Sequence, residues 1–539
     1  MSSNFEYQNN YTDTNECTSR GACSISPAIS ALQELALEFL QHTAYYILKL
    51  EELGAKNNKI KYEIINTLSS LVSVNEFSDK QLYSIVMNEY FLLEDTKKNY
   101  KKLCKKEQIL SKDLKSVPEF NSETTISQAI SIGEKIIREK YQKRSSSQKN
   151  YTEILLIILK SVSLNLTKLN DFKEFDDIIY HEILKTLDML NANRIPVIEI
   201  KQKINSLASL DNKLQLKISE LLLSAFEGID KVMVSHSTTK GKAILVSGNN
   251  FFDLLSILDE TKDKDIDVYT HSNLLIVHAL NRFHQYKHLK GHYGDQSENC
   301  ILDFATFPGS ILLTKNSRSN REYFYRGRLF SNDYIVPNGV IKIENNDYSE
   351  LIQAALNAKG FSKGKTKDDT PLGFNENELF KTFDRIIEKL NRREIKKLYI
   401  IGIDAHLEAQ KIYFKEFFKN LSDDEFVISF SYESKKDNVL TLNIGNYIPL
   451  ASRVLNKLFE KYPLKSDNIV FFFTTCDVMT ISSIVLLRET GAKNLFMAHC
   501  SPTIINPSVL DTFKSEYHIL STTDAPDDLT LIRKNKSSQ

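Results

Sequence analysis

The sequence lacks the features of several common protein classes. Its 539 residues include no tryptophan and only six cysteines, 17 glycines and 11 prolines. Six cysteines in so long a chain argue against a disulfide scaffold and suit a reducing compartment. No run of about 18 apolar residues occurs, and residues 1–15 lack the basic start and apolar core of a secretory signal. We therefore expect a cytoplasmic protein that does not enter a membrane.

The chain also lacks an excess of either charge. Lys plus Arg equals Asp plus Glu at 69 each, so no overall field attracts nucleic acid or an anionic membrane. The one local basic run, KKNYKKLCKKE, is typical of a solvated helix face. Walker, GxGxxG, HExxH and CxxC patterns are missing as well. These absences remove several common nucleotide-binding, metalloprotease and redox motifs.

Helical periodicity dominates the first part of the chain. Ser26 and Pro27 form a typical helix start, and apolar residues then recur at helical spacing as far as Leu50. Helical patterns follow one another to about Gly228, with Lys, Glu, Leu and Ile abundant and strand signals scarce. We predict a helical bundle domain, preceded by a cysteine-containing segment, over residues 1–237.

Alternating strand and helix patterns occupy the rest of the chain. The short apolar runs at residues 243–246 and 266–269 flank a helical segment and predict one βαβ unit. A Gly-, Lys- and Asp-rich stretch at residues 359–369 then marks a boundary, after which four more strands alternate with helices. The predicted fold class is α + α/β: the helical bundle domain followed by two Rossmann-like domains with parallel sheets, at residues 238–369 and 370–539.

The loops after the first two strands of this α/β region predict a crevice. Carboxyl ends of parallel strands lie at one edge of a sheet, where open α/β folds bind ligands. The residues expected there are Gly248, Asn249, Asn250, Thr270, His271, Ser272 and Asn273. Asn and Gly also serve simply to form turns, so a purely structural role stays open.

Several blocks of this region resemble a known family. GNNFFDLLSILDET, DVYTHSNLL, YKHLKGHYG and FATFPGSILLTKNS are similar, in order and spacing, to the central domain of the hybrid cluster proteins, also called prismane proteins or hydroxylamine reductases. ECTSRGACSISPAISALQELALEFL resembles the amino-terminal cysteine segment, and GAKNLFMAHCSPTIINPSVLDTF the last strand and loop. The resemblance implies iron–sulphur centres, namely a four-cysteine cubane and a hybrid iron–sulphur–oxygen cluster between the domains.

The cubane ligands implied by the resemblance are incomplete in this chain. Cys17 and Cys23 match the second pair of cysteines, whereas the first pair falls near Glu6 and Asn9. Two thiolates do not complete a cubane. They remain either two unligated thiols or a zinc or iron site completed from elsewhere, including another chain.

The resemblance also assigns the hybrid-cluster ligands, which are one histidine, two glutamates and four cysteines. They fall on Asn249, Asn273, Ser317, Ile403, Tyr432, Tyr447 and, for the last glutamate, Thr475 or Asp477. Neutral oxygens do not replace thiolates, and Ile403 offers no ligand. We expect Tyr432 and Tyr447 to fill the vacated volume, with hydroxyls bonded to Asn249, Asn273 or Ser317.

The remaining histidines and cysteines are candidate metal ligands or reactive groups. His284, His288 and His292 recur at four-residue intervals, which would place metal ligands on one helix face, but Gly291 and Gly294 favour a turn instead. His271 is expected to be a hydrogen-bonded loop residue. Cys476 and Cys500 follow predicted strands and are interpreted as isolated packing thiols.

These patterns support three functional hypotheses. The first is a hybrid cluster protein relative without a cofactor, acting as a scaffold or regulator through itself or an active paralogue. The second is an oxidoreductase that reduces hydroxylamine or NO at an altered iron–sulphur centre, using remnants such as Cys17, Cys23 and Asp477. The third is a crevice that binds a small polar ligand through Asn249, Asn273 and Ser317.

Overall fold

The computed structural model describes residues 26–56, 58–72, 78–114, 118–192, 194–294, 300–314, 327–333, 336, 339–403, 407–499 and 507–534. Within these residues the amino-terminal region is helical, as predicted. Its helices are α1 (Pro27–Glu52), α2 (Asn58–Ser70), α3 (Asp79–Lys106), α4 (Ile126–Lys143), α5 (Ser146–Asp171), α6 (Asp177–Met189) and α7 (Val197–Ala225).

Local sequence signals set where these helices begin. Ser26 is the N-cap of α1, and its side chain accepts a hydrogen bond from the Ile29 amide; Pro27 follows as the first helical residue. Ser78, Thr125 and Ser145 each form a capping box with the glutamine three residues later, so that reciprocal bonds satisfy amides of the first turn. Helix α3 continues to Lys106 and carries most of the basic run, which therefore lies on a helix as predicted.

The first sheet has six parallel strands in the order β4-β3-β2-β5-β6-β7. A separate antiparallel pair joins β1 (Val232–Val234) to β8 (Thr370–Leu372). The strands of the first sheet are β2 (Lys242–Ser247), β3 (Ile266–His271), β4 (Leu289–His292), β5 (Ser310–Leu313), β6 (Leu329–Ser331) and β7 (Ile341–Lys342). Its helices are α8 (Phe251–Thr261), α9 (Cys300–Thr306) and α10 (Ser349–Asn357), with 3₁₀ segments at Ser272–Ala279 and Asn281–Gln285.

The second sheet repeats this design with the parallel order β11-β10-β9-β12-β13-β14. Its strands are β9 (Lys397–Ile401), β10 (Glu425–Ser429), β11 (Val439–Thr441), β12 (Ile469–Phe473), β13 (Asn494–Met497) and β14 (Ile519–Ser521). Its helices are α11 (Glu376–Asn391), α12 (Glu408–Lys419), α13 (Ile448–Phe459), α14 (Val478–Glu489), α15 (Pro507–Glu516) and α16 (Ala525–Lys534). The predicted fold class is confirmed.

Core packing joins the helical region to both sheets. One continuous apolar core runs from α1 through α5 and α7 to one face of each sheet, and includes Tyr447. The opposite face of the second sheet packs separately against α12 and α16, and includes Tyr432. Among the described helices, none is long and apolar enough to span a bilayer.

Candidate functional site

The carboxyl ends of β2 and β3 meet at the predicted crevice. The backbone amides of Asn249 and Asn250 donate to Thr314 Oγ1 at 3.0 and 3.2 Å. Asn250 Oδ1 accepts from the amides of Phe252 and Asp253, both at 2.9 Å, and so caps α8. This loop therefore serves as a helix start as well as a wall of the crevice.

Asn249 and Asn273 contact each other across this crevice. Asn273 Nδ2 donates to Asn249 Oδ1 at 2.6 Å, and both residues are half-buried. The contact joins the loop after β2 to the 3₁₀ segment after β3, since parallel pairing brings Ser247 opposite His271. The two neutral amides thus satisfy part of their hydrogen-bonding capacity with each other.

Tyr447 lies at the junction of α5, α8 and α13. Its side chain is buried and meets the Phe251 ring edge-on at 5.2 Å between centroids, while Lys168 Nζ lies 5.7 Å from the ring centre. Burial raises the pKa of the Tyr447 hydroxyl far above its usual value, and Asp171 adds to this effect. The side chain is a neutral phenol that fills the space between three elements.

Tyr432 lies on the other face of the second sheet, which differs from our expectation. Its hydroxyl donates to Gln410 Oε1 at 2.6 Å, rather than to Asn249 or Asn273. Fully buried Gln410 in turn donates from Nε2 to the carbonyls of Thr474 and Ala498 at 2.7 and 2.5 Å. The expectation fails because Tyr432 follows β10 in a loop that turns toward α12, away from the face carrying Tyr447.

Ile403 and Asp477 have structural roles after β9 and before α14. The Ile403 carbonyl accepts a hydrogen bond from Thr474 Oγ1. Asp477 is the N-cap of α14 and accepts from the amides of Met479 and Thr480, both at 2.9 Å. The alternative position, Thr475, bonds the Thr480 hydroxyl at 2.7 Å. The Asp477 carboxylate is therefore committed to the helix start.

The three regularly spaced histidines do not share a helix face. His284 lies in a 3₁₀ segment, His288 in the following loop and His292 in β4. His288 Nε2 contacts Thr261 Oγ1 and the Leu258 carbonyl, both at 3.1 Å. The segment is not helical, but Gly291 lies in β4 rather than in a turn. The four-residue spacing therefore does not bring the three histidines together.

A second set of histidines, which also includes His292, lies at the carboxyl edge of the first sheet. His271 and His292 are buried there, and His278 is half-buried. Thr270 Oγ1 lies 2.8 Å from both His278 Nε2 and His292 Nδ1. The rings of His271 and His292 are stacked with centroids 6.3 Å apart. Burial lowers the pKa of His278 to about 3 and holds that of His292 well below its ordinary value. The histidine cluster of His271, His278 and His292 is missed in the sequence because three separate elements supply it.

His271 is hydrogen-bonded, as predicted, but it is the buried last residue of β3 rather than a loop residue. Its Nδ1 lies 2.9 Å from Ser247 Oγ, and its Nε2 lies 3.3 Å from Asp303 Oδ2. Within the described part of the chain, no group of three or more His, Cys, Asp or Glu side chains is placed to hold a metal ion.

The cysteines are only partly within the described residues. Cys17, Cys23, Cys500 and the ligand position Ser317 lie outside them. Cys104 is buried and free on α3. Cys476 is disulfide-bonded, so the interpretation of an isolated thiol is wrong for this residue. No structural statement about the proposed Cys17 and Cys23 site follows.

The sequence contains a GxSxG pattern at residues 360–364. Such a serine is a nucleophile only at a sharp turn between a strand and a helix. Here Phe361 forms a bridge with Gly241, and Lys365 forms another with Thr238, while Ser362 is exposed and no helix follows. The pattern is therefore not a catalytic elbow.

Residues 11–448 match the Prismane/CO dehydrogenase family. The chain belongs to this family. The resemblance identified from the sequence blocks is thereby confirmed.

Relatives in this prismane family extend the match over nearly the whole chain. The hydroxylamine reductase of Thermodesulfovibrio yellowstonii is 26% identical, covering 96% of this chain and 97% of that protein. Those of Gloeothece citriformis and Methanocella arvoryzae are 25% and 22% identical, covering 96% and 98% of this chain and 97% and 99% of theirs. A solved acetyl-CoA synthase/carbon monoxide dehydrogenase with nickel and [Fe4S4] clusters has a TM-score of 0.46 at 10% identity, covering 93% of this chain and 81% of that one.

The residues that the structure describes at the positions assigned by the resemblance do not fit a hybrid cluster. An iron–sulphur cluster needs thiolates, and Ile403, Tyr432 and Tyr447 supply none. Their places in the fold differ as well, since Tyr432 and Tyr447 belong to separate cores. The amides of Asn249 and Asn273 bond each other instead of facing a common centre. The remaining chemistry is neutral hydrogen bonding and aromatic packing.

Proposed function

We propose that this protein is a prismane-family member without a hybrid cluster, acting in the cytoplasm as a non-catalytic scaffold or regulator. It would pair with a second copy of itself or with an active paralogue, and would bind neither nucleic acid nor membrane. The observation that carries the proposal is the closed bond between Asn273 and Asn249 at 2.6 Å.

The chemistry of this pair supports the proposal. The resemblance assigns a histidine and a glutamate to these positions, and together such residues offer a metal one imidazole nitrogen and one carboxylate. Here the Asn273 amide donates and the Asn249 oxygen accepts, so their mutual bond is satisfied without an ion. Neutral amide oxygens bind soft metals weakly compared with imidazole or thiolate.

Packing beside this pair supports it further. Tyr447 occupies the junction of helical region, first sheet and second sheet with 4% of its surface exposed. Phe172, Phe226, Phe251 and Phe252 continue the aromatic packing around the same junction, with neighbouring centroids 5.2 to 5.8 Å apart. A cluster placed here would have to displace an aromatic side chain, which costs about 3–5 kcal/mol of packing.

The test is elemental analysis of anaerobically purified protein from iron-replete cells. The hydroxylamine reductase of Thermodesulfovibrio yellowstonii, prepared in parallel, is the positive control. We expect far less than one iron and one acid-labile sulphide per chain, and no reduction of hydroxylamine by a reduced viologen dye. Stoichiometric iron and sulphide, or turnover comparable with the control, would instead establish an oxidoreductase with an altered centre.

The proposed self-association has its own measurement. Light scattering on the full chain, over a range of concentrations, gives its mass in solution. A mass twice that of the 61.9 kDa chain supports pairing of identical copies. A monomer at every concentration leaves the active paralogue as the proposed partner, to be tested by mixing the two purified proteins.

A further inference from the structure

An antiparallel ribbon joins the helical region to the two sheets. Its first segment, residues 232–241, runs from α7 through β1 to β2, and its second segment, residues 361–372, runs from α10 through β8 toward α11. β1 pairs with β8, and an isolated bridge joins Thr238 to Lys365. The ribbon therefore contains both the connection into the first sheet and the connection between the two sheets.

The ribbon is docked on the first sheet at β4, which is an edge strand. The His292 amide donates to the Ser235 carbonyl at 2.9 Å. Gly291 lies so close to the ribbon that a Cβ at this position would be 2.2 Å from the Ser235 carbonyl oxygen. The Thr239 hydroxyl also donates to Asp267 of β3. The ribbon thus covers backbone groups that an edge strand would otherwise expose.

Imidazoles occupy both sides of this contact. His236 of the ribbon lies edge-on to His292 of β4, with ring centroids 5.8 Å apart. His236 Nε2 is 2.9 Å from Thr370 Oγ1 on the second segment of the ribbon. His292 is 3% exposed, and its Nδ1 is 2.8 Å from Thr270 Oγ1, a hydroxyl that also contacts His278. The docked ribbon therefore holds one imidazole against a second that is buried.

The charges around the contact disfavour a protonated His292. After burial, the groups that lower its pKa are three other imidazoles, those of His271, His278 and His236. Asp303 of α9 contacts His271 at 3.3 Å. The other charged or titratable side chains on the ribbon, β3, β4 and the second 3₁₀ segment are Lys240, Asp267, Tyr269, Arg282, His284, Lys290, Lys363, Lys365, Lys367, Asp368 and Asp369. With four lysines and two aspartates, the ribbon brings no excess of negative charge to the histidines.

We propose that the ribbon is an acid-sensitive strap, docked on β4 at neutral pH and released locally when His292 and His236 take up protons. Two imidazolium rings 5.8 Å apart repel each other, and release returns a buried charge to water. A free histidine binds a proton below about pH 6.5, so the released state holds more protons there, and docking is favoured above that pH and lost below it. Neither histidine stands at an assigned ligand position, so the proposal is independent of the proposed function.

The experiment is hydrogen exchange of the full chain, read by mass spectrometry as protection factors at about pH 7.5, 6.5 and 5.5, with and without urea below the unfolding transition. We expect peptides of the ribbon and β4 to be less protected than those of α5 and insensitive to urea, since a local opening exposes little surface. Their protection should fall at least about fivefold between pH 6.5 and 5.5, the effect of one histidine. Protection that does not fall, or that follows the urea dependence of α5, would overturn the proposal.

Two variants assign the protons. His292→Gln replaces the buried imidazole with an amide that does not titrate, so the acid response of the ribbon should disappear. His236→Gln should reduce that response, and it carries the test if His292→Gln fails to fold, because His236 is only half-buried. His181→Gln is the matched control, since His181 lies on α6 in the helical region and pairs with Glu51. An undiminished acid response in both ribbon variants, or an equal reduction in His181→Gln, would contradict the proposal.

Discussion

The two sheets present the same parallel topology but complete their carboxyl edges differently. At the first sheet, polar side chains bond one another, as in the pair of Asn249 and Asn273 and in the histidine cluster around Thr270. At the second sheet, one buried amide, Gln410, connects Tyr432 to two backbone carbonyls. The two carboxyl edges therefore satisfy their polar groups by two unrelated hydrogen-bonding arrangements.

The difference has an energetic consequence. Imidazoles change charge near neutral pH, whereas an amide does not. The edge of the first sheet should therefore respond to acidification, and the edge of the second sheet should respond mainly to loss of hydrogen bonds.

The largest effect is expected at Gln410. Replacing it in Gln410→Leu leaves the carbonyls of Thr474 and Ala498 and the Tyr432 hydroxyl without their partner. We expect a loss of about 3–5 kcal/mol in unfolding free energy, measured by urea denaturation. Gln353→Leu, at an exposed position of α10, is the control and should change stability by less than about 0.5 kcal/mol. Similar losses in both variants would show that buried Gln410 contributes no more to stability than an exposed glutamine.

The next largest effect is expected on acidification, which should lower the unfolding free energy through the histidines of the first sheet. The folded-state pKa values of His278 and His292 lie below the unfolded value, so the unfolded chain binds more protons as pH falls below about 6.5. Each histidine then costs up to about 1.4 kcal/mol of stability per pH unit. Burial raises the pKa of Glu89 to about 8, which acts in the opposite sense, so a comparison of variants is needed.

The comparison is between the wild-type chain and His278→Gln, by urea denaturation between pH 7.5 and pH 5, a range set by the ordinary histidine pKa of about 6.5. The wild type should lose stability relative to the variant as the pH falls. Parallel curves would show that His278 is not held neutral. Gln410→Leu should run parallel to the wild type, because its network contains no group that titrates in this range.

A smaller effect should separate the two tyrosines. Tyr432→Phe removes the donor to Gln410 Oε1 and should cost about 1–2 kcal/mol. Tyr447→Phe keeps the ring contacts with Phe251 and Lys168, and should cost less than about 0.5 kcal/mol. Thermal and urea unfolding of both variants measures this difference in stability. A larger loss for Tyr447→Phe would contradict it, because it would mean that the Tyr447 hydroxyl forms a hydrogen bond between the sheets.

An effect between those of the two tyrosine variants is expected for the amide pair. Asn273→Ala should cost about 1 kcal/mol, because a neutral and half-buried bond to Asn249 is lost. A double-mutant cycle with Asn249→Ala isolates the pair, and we expect a coupling of about 0.5–1.5 kcal/mol. A coupling near zero would mean that the pair does not close the crevice.

The comparison also explains what the sequence reveals and what it leaves hidden. Period and run length predict the long helices and the buried central strands, since these patterns are strong and local. The edge strands β11 and β14 are missed because each has only three residues, too few to show the alternation of apolar and polar residues typical of a strand. The resemblance assigns ligand positions to individual residues, but it does not say where each side chain points. Tyr432 and Tyr447 are similar in sequence terms, and only the turn after β10 decides that they occupy opposite faces.

The histidine cluster illustrates the same limit. His271, His278 and His292 come from β3, a 3₁₀ segment and β4, and their approach depends on the pairing of β3 with β4. Regular spacing along the chain instead pointed to His284 and His288, which face other partners. Contacts created by strand pairing are therefore the part of the site that no single stretch of sequence contains.

Iron-edge anomalous diffraction from anaerobically grown crystals of the full chain tests the absence of a hybrid cluster most directly. We predict no anomalous peak between Asn249, Asn273 and Tyr447, with the tyrosine ring filling the junction of α5, α8 and α13. A multi-iron peak at that junction, with Tyr447 displaced, would contradict the account.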